Sequence, residues 1–258
     1  AHVLVAGDAA VRADFSLLEL SESRVEGCRY TACDFSRASF ADVAFSGCDF
    51  SNSDFSEANF TRCTFSSCKF TGANFTEAVL ARTELSDSTL SYASLAKARL
   101  TDVLARADDF SHADLSEARL ARTVFDDVRF TGTSFFRTSL AGIDFTTCQL
   151  ADIVLSDAMG ELKGCRMDLY QAAGIAQRGH RRLTAQSGSR RPLRGAFGLR
   201  SAASAAGRPR RPNRRVRSDA YPCLPRVSIS SWASMMAFLT AFFTTRYPMA
   251  TNSAIISG

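Results

Sequence analysis

From Phe15 to Leu155 every fifth residue is apolar, and 28 of these 29 positions hold a large aliphatic or aromatic side chain; Ala105 is the exception. Two residues ahead of each lies a second series of small residues, including Ala13, Cys28, Cys33, Ala38, Cys48, Ser53, Ala58, Cys63, Cys68, Ala73, Thr83, Ser88, Ala113, Thr133 and Cys148. Residues two apart share one face of an extended backbone, so each unit of five points one small and one large side chain inward and turns through its polar remainder. An α-helix would need a repeat of 3.6 residues, which this pattern lacks.

Such short self-similarity predicts a solenoid, in which stacked units share one continuous core and no unit stands alone. Segments such as Cys33-Asp34-Phe35-Ser36, Ala58-Asn59-Phe60-Thr61, Ala73-Asn74-Phe75-Thr76 and Ala113-Asp114-Leu115-Ser116 fit the form A-(D/N)-(L/F)-(S/T)-x. In this the chain resembles the pentapeptide-repeat family from Ala13 to Leu155. The resemblance implies an all-β, right-handed quadrilateral β-helix with four units to a coil. Twenty-nine units then make about seven coils, a rod roughly 34 Å long at the ~4.8 Å spacing of paired strands.

Charge divides the chain in two. Residues 1–177 hold 16 basic and 25 acidic side chains, a net charge of −9, whereas residues 178–258 hold 15 Arg and the single acid Asp219. The organisation expected is a truncated lead-in at 1–12, the β-helix at 13–159, a cap and helix at 160–177, and an Arg-rich irregular tail at 178–258. The tail reads as out-of-frame or foreign sequence, with a nucleic-acid-binding arm around Arg208–Arg215 as the alternative. The uncharged stretch 227–245 has just the length to span a bilayer, but its Ser and Thr content argues against a membrane anchor. Ala1-His2-Val3-Leu4-Val5 lacks the basic and apolar regions of a signal peptide, and a missing N-terminus is expected.

Six of the eight Cys fall in the small inward series, which marks them as structural thiols of a reducing, cytoplasmic compartment rather than metal ligands or disulfides. No cofactor or metal is expected. At Val103–Asp109 the large residue becomes Ala105 and the small one Asp108. That predicts a local backbone irregularity with Asp108 bonded to nearby amides, or a bend used for contact. His112 has no Ser, Asp or metal-ligand partner in phase and reads as a surface residue.

A square rod allows sides to be assigned by counting round four units at a time. One side carries Asp14, Asp34, Asp54, Glu57, Glu77, Asp114, Glu117 and Asp157 against Arg37, Lys97 and Arg137. The next carries Arg62, Arg82, Arg99, Arg119 and Arg122. Stacked carboxylates would repel one another, which suggests a use for them; equally, Asp and Asn are favoured before the central residue of each unit.

Beyond Leu155, the run Glu161-Leu162-Lys163-Gly164-Cys165-Arg166-Met167-Asp168-Leu169-Tyr170-Gln171-Ala172-Ala173 resembles the closing segment of the Qnr-like quinolone-resistance branch. That resemblance implies a DNA mimic that binds DNA gyrase and topoisomerase IV, with no direct DNA binding by the solenoid. It also implies a homodimer joined through the C-terminal segment, here Leu162, Leu169, Ala172, Ala173, Ile175 and Ala176. Tyr92 and Phe136 are further exposed contact candidates. A scaffold for some other protein is the second hypothesis. An enzyme is the third, and it lacks a pocket or a nucleophile, base and orienting group in register.

Overall fold

A computed structural model describes residues 3–176 and a two-residue strand, Val227–Ser228. The expectations for the remainder of the tail, including the arginine-rich arm and the uncharged stretch, lie outside the described residues.

All pairing within the repeat is parallel and joins each residue to its equivalent four units later. On one side Leu20 stacks on Phe40, Phe60, Leu80, Leu100 and Leu120 in turn. On the next, Val25 is followed by Phe45, Phe65, Leu85, Ala105 and Phe125. The third side is held by single bridges, Asp14 through Asp34, Asp54, Asn74, Ser94, Asp114 and Ser134 to Val154; the fourth has single bridges from Asp49 through Lys69, Thr89 and Asp109 to Arg129, with three-residue ladders at its ends, 9–11 on 29–31 and 129–131 on 149–151. One offset on four sides is a four-sided β-solenoid, with about seven coils across the repeat. The stack begins before residue 13, because Val3–Ala6 pairs in the same register with residues 23–26.

The turns explain why five residues suffice. On the side centred on Phe35 and Phe55, the amides of Ala38 and Ala58 donate to Phe35 O and Phe55 O at 3.1 Å. The residue before each, Arg37 or Glu57, is left-handed at φ 58°. A left-handed conformation costs a non-glycine residue about 1 kcal/mol. Here it aims the amide at the next coil: Arg37 N–H donates to Ser56 O at 2.8 Å and Glu57 N–H to Thr76 O at 2.9 Å.

Inside, like residues stack on like. The rings of Phe15, Phe35, Phe55 and Phe75 follow one another at 5.0 Å and nearly parallel, each pair adding about 0.5–1.5 kcal/mol beyond burial. Where the columns change from Phe to Leu, between Phe65 and Leu95, a void of about 10 Å³ remains. The small series lines the corners, and its thiols and hydroxyls bond the backbone: Cys48 Sγ donates to Val25 O at 3.3 Å and Ser53 Oγ to Tyr30 O at 2.6 Å. All seven cysteines among the described residues are free and buried.

Ala105 brings no bend. Its strand, Leu104–Arg106, pairs in full register with residues 84–86 on one side and 124–126 on the other, because the ladder is made by backbone and tolerates a smaller side chain.

After Leu155 the phase slips by two residues. A left-handed Met159 and a 3₁₀ turn, Gly160–Leu162, take up the excess. The wall then continues: Leu140 N–H donates to Glu161 O, Gly142 N–H to Gly164 O and Phe145 N–H to Arg166 O, at 2.8–2.9 Å. Leu162, Cys165 and Met167 are fully buried, at the positions that Leu140, Ile143 and Phe145 occupy one coil earlier.

Residues 169–176 form a short α-helix. Asp168 caps it reciprocally, accepting the Gln171 amide while Gln171 Oε1 accepts the Asp168 amide, both at 2.8 Å, the arrangement of a capping box. No helix among the described residues is long and apolar enough to cross a membrane.

Candidate interaction surface

The acidic side begins with Asp14, Asp34 and Asp54 in consecutive coils of one ladder. Each has a local reason to be there. Oδ1 accepts the amide two residues on, Ser16 at 2.9 Å, Ser36 at 2.8 Å and Ser56 at 2.9 Å, an Asx turn that leads the chain into the corner. For Asp14 these bonds, the Ser16 hydroxyl first and its amide second, hold the carboxyl below the ordinary aspartate value. Asp114 repeats the motif with the amide of Ser116 at 2.9 Å and also accepts its hydroxyl. Turn formation and surface charge therefore fall on the same residues.

Glu57, Glu77, Glu117 and Asp157 are exposed. Glu77 pairs with Lys97 and Glu117 with Arg137, each one coil away at 3.5 Å, and Asn74 Nδ2 donates to Asp54 at 2.9 Å. Farther along, Asn74, Ser94 and Ser134 take the ladder position. Negative charge is therefore densest over the first coils of the repeat, around Asp14, Asp34, Asp54 and Glu57 with Arg37 among them, and beyond them Glu77 and Glu117 are balanced by Lys97 and Arg137.

The adjoining side is less basic than its arginines suggest. Arg62 makes a two-pronged pair with Asp42, both bonds 2.5 Å, and Arg122 another with Asp102. Those guanidinium partners hold the Asp42 and Asp102 carboxyls below the usual range. Sequence reasoning missed Asp42 and Asp102, whose one signal is an opposite charge a full coil later. Arg99 and Arg119 stand directly opposite each other on adjacent strands.

On the coils, two aromatic groups break the polar surface. Tyr92, 65% exposed, lies flat on His112 with ring centroids 4.9 Å apart and planes 13° from parallel. Phe136, 37% exposed, has the Arg137 guanidinium 5.0 Å from its ring centre.

The C-terminal candidates face inward. Leu162, Leu169, Ala172, Ile175 and Ala176 are buried and Ala173 half-buried within this single chain. Gln171 Nε2 ties the helix to the last coil through Phe145 O at 2.8 Å and Cys148 O at 2.7 Å. No group of three or more His, Cys, Asp and Glu among the described residues could hold a metal ion.

The profile for pentapeptide repeats (8 copies) matches residues 33–72 and 109–142, and that for the pentapeptide repeat region matches 58–118. Residues 33–142 are a pentapeptide-repeat region. No curated protein sequence matches the chain. Solved structures similar to this chain include a trypsin-treated variant of QnrB1, a plasmid-mediated fluoroquinolone resistance protein. It is 23% identical, with 68% of this chain and 88% of that one covered and a TM-score of 0.41. Another is HetL, a pentapeptide-repeat protein involved in heterocyst differentiation regulation in the cyanobacterium Nostoc, 18% identical over 64% of this chain and 89% of that one, TM-score 0.20. A third is a pentapeptide-repeat protein of the Arabidopsis thaliana thylakoid lumen, 27% identical over 46% and 66%, TM-score 0.19.

Proposed function

We propose that this pentapeptide-repeat rod binds a type II topoisomerase, DNA gyrase or topoisomerase IV, in the cytoplasm, standing in for DNA and catalysing nothing itself. The observation that carries the reading is the ladder of Asp14, Asp34 and Asp54, stacked coil on coil beside the exposed Glu57. Paired strands repeat every ~4.8 Å, of the same order as the ~3.4 Å of helix axis per phosphate of one DNA strand. A rigid row of carboxylates at that rise is a fitting counterpart for a basic DNA-binding groove. The segment 160–177 is the proposed dimer contact, with Tyr170 as its exposed large side chain among the described residues.

The test is a gyrase supercoiling assay, with and without a quinolone, using the full chain and a triple variant, Asp34→Asn, Asp54→Asn and Glu57→Gln. Asparagine keeps the Oδ1 that the turn needs and removes the charge. Loss of protection or of inhibition in the folded variant supports mimicry; an unchanged effect, or none from the parent chain, overturns it.

A second reading, a scaffold for a different protein, is favoured by the exposed Tyr92–His112 stack and by Phe136. It predicts a partner whose binding survives the triple variant and is lost in Tyr92→Ala.

A further inference from the structure

Among the described residues one buried side-chain atom has no hydrogen-bond partner, Oδ2 of Asp108. Asp108 is 2% exposed and occupies the inward small series, one coil after Ser88 and one before Val128. Its Oδ1 accepts the Ser88 amide at 2.7 Å.

The other polar members of this series act as donors. Ser53, Thr133 and Thr138 give their hydroxyl protons to carbonyls of the preceding coil, those of Tyr30, Phe110 and Leu115, at 2.5–2.7 Å. Ser88 gives its proton to Ser86 O, two residues back, at 3.0 Å, and Cys48 divides its thiol between both kinds of carbonyl. At position 108 the same geometry offers the carbonyls of Leu85 and Arg106. A carboxylate has no proton to give and would set its second oxygen against carbonyl oxygens, whereas a carboxylic acid supplies the missing donor.

No described residue around it compensates a charge. Ser88 and Val128, its neighbours in the stack, are uncharged. Of the charged groups nearby, Asp87 opposes ionisation, Arg106 is paired outward with Asp126 and Asp109 with Arg129, both at 3.3 Å, and Asp127 on the next coil is acidic.

We propose that Asp108 is held in the core as a neutral carboxylic acid, and that its ionisation is a pH-sensitive switch that loosens the coils between about residues 85 and 130. Burial, which dominates, and the Asp87 charge push the carboxyl up to about 7 against the hydrogen bonds that favour ionisation. The folded value lies above the ordinary 3.8, so this group's stabilisation is complete below the ordinary value and is lost as pH rises through the folded one. Across that interval the folding equilibrium constant falls about tenfold per pH unit. Above it the native chain carries the buried charge.

The experiment is urea denaturation of the full chain and of Asp108→Asn, whose amide can donate at every pH, at about pH 5 and pH 7. The parent chain should lose about fiftyfold in folding equilibrium constant over that range relative to the variant. Parallel pH dependences overturn the proposal. If Asp108→Asn fails to fold, infrared spectroscopy of the parent chain with isotope-labelled aspartate decides. A protonated-carboxyl stretch present at about pH 5 and gone at about pH 9 supports the switch; ionised aspartate throughout overturns it. A fall in the protection of the Ser88 amide above neutral pH, relative to its base-catalysed intrinsic exchange rate and to amides of distant coils, would locate the loosening at this coil.

Discussion

The carboxylate of Glu161 accepts the amide of Arg137 at 2.9 Å, in a place where every preceding coil supplies a backbone carbonyl. In the coil before, Glu117 N–H donates to Phe136 O; by that rule Arg137 would donate to Ser156 O, but the slipped chain has carried that group into the Met159 turn. Glu161 also accepts the amide and hydroxyl of Ser156 at 3.0 and 2.8 Å, so one side chain closes the last regular coil.

Replacing Glu161 with Ala should leave those part-buried donors without their acceptor and cost about 1–3 kcal/mol in urea denaturation. Burial alone would raise the carboxyl; the hydrogen bonds from its own backbone amide, from Arg137 and from Ser156 outweigh it and hold it below 4.5. With the folded value depressed, its contribution is present above 4.5 and lost as pH falls through the folded value. Glu161→Gln should remove this acid dependence while leaving that of Asp108, which runs the opposite way.

The Tyr92–His112 stack should depend on a residue that touches neither ligand nor core. Gly132 is left-handed at φ 69°, and a Cβ there would lie 2.5 Å from His112 Nδ1. Gly132→Ala should push the imidazole off its platform, seen as loss of the ring-current shifts of Tyr92 and His112 by NMR, with a stability loss of about 1 kcal/mol.

The Asx turns separate structure from charge. Asp34→Ala and Asp54→Ala should each cost about 0.5–1.5 kcal/mol in thermal or urea unfolding, because the Ser36 and Ser56 amides lose their acceptor. The Asn variants should stay within about 0.5 kcal/mol of the parent. Equal losses for Asn and Ala would mean that charge, not the turn, selects aspartate here.

Ala105 and Asp108 lie at one corner, where the large position is too small and the small position too large. Ala105→Leu alone should destabilise by about 1–3 kcal/mol through overpacking. Combined with Asp108→Ala, which restores the repeat's usual pattern, it should cost less than the sum of the two by about 0.5–3 kcal/mol in a double-mutant cycle.

The period of five made the core, the four sides and the stacking partners legible, since each follows from counting alone. Ala105 misled because the side-chain pattern weakens there while the backbone ladder that fixes the path does not. The last half-coil was hidden for the reverse reason: Leu162, Cys165 and Met167 keep the side-chain order large, small, large, but arrive two residues late. On the surface, the sequence showed where Asp34 and Asp54 stand but not that a turn already engages each of them. It also missed the pairing of Asp42 with Arg62, because opposite charges a full coil apart look unrelated along the chain.

The one-coil offset makes this rod unequal in its response to lost units. Removing a whole coil would shorten the stack and leave every surviving surface residue facing the same direction. Removing a single unit would preserve the inward pattern just as well, yet turn everything downstream by a quarter revolution. The carboxylates on the two sides of the cut would then face different ways, in a protein whose core and melting behaviour give little sign of the change.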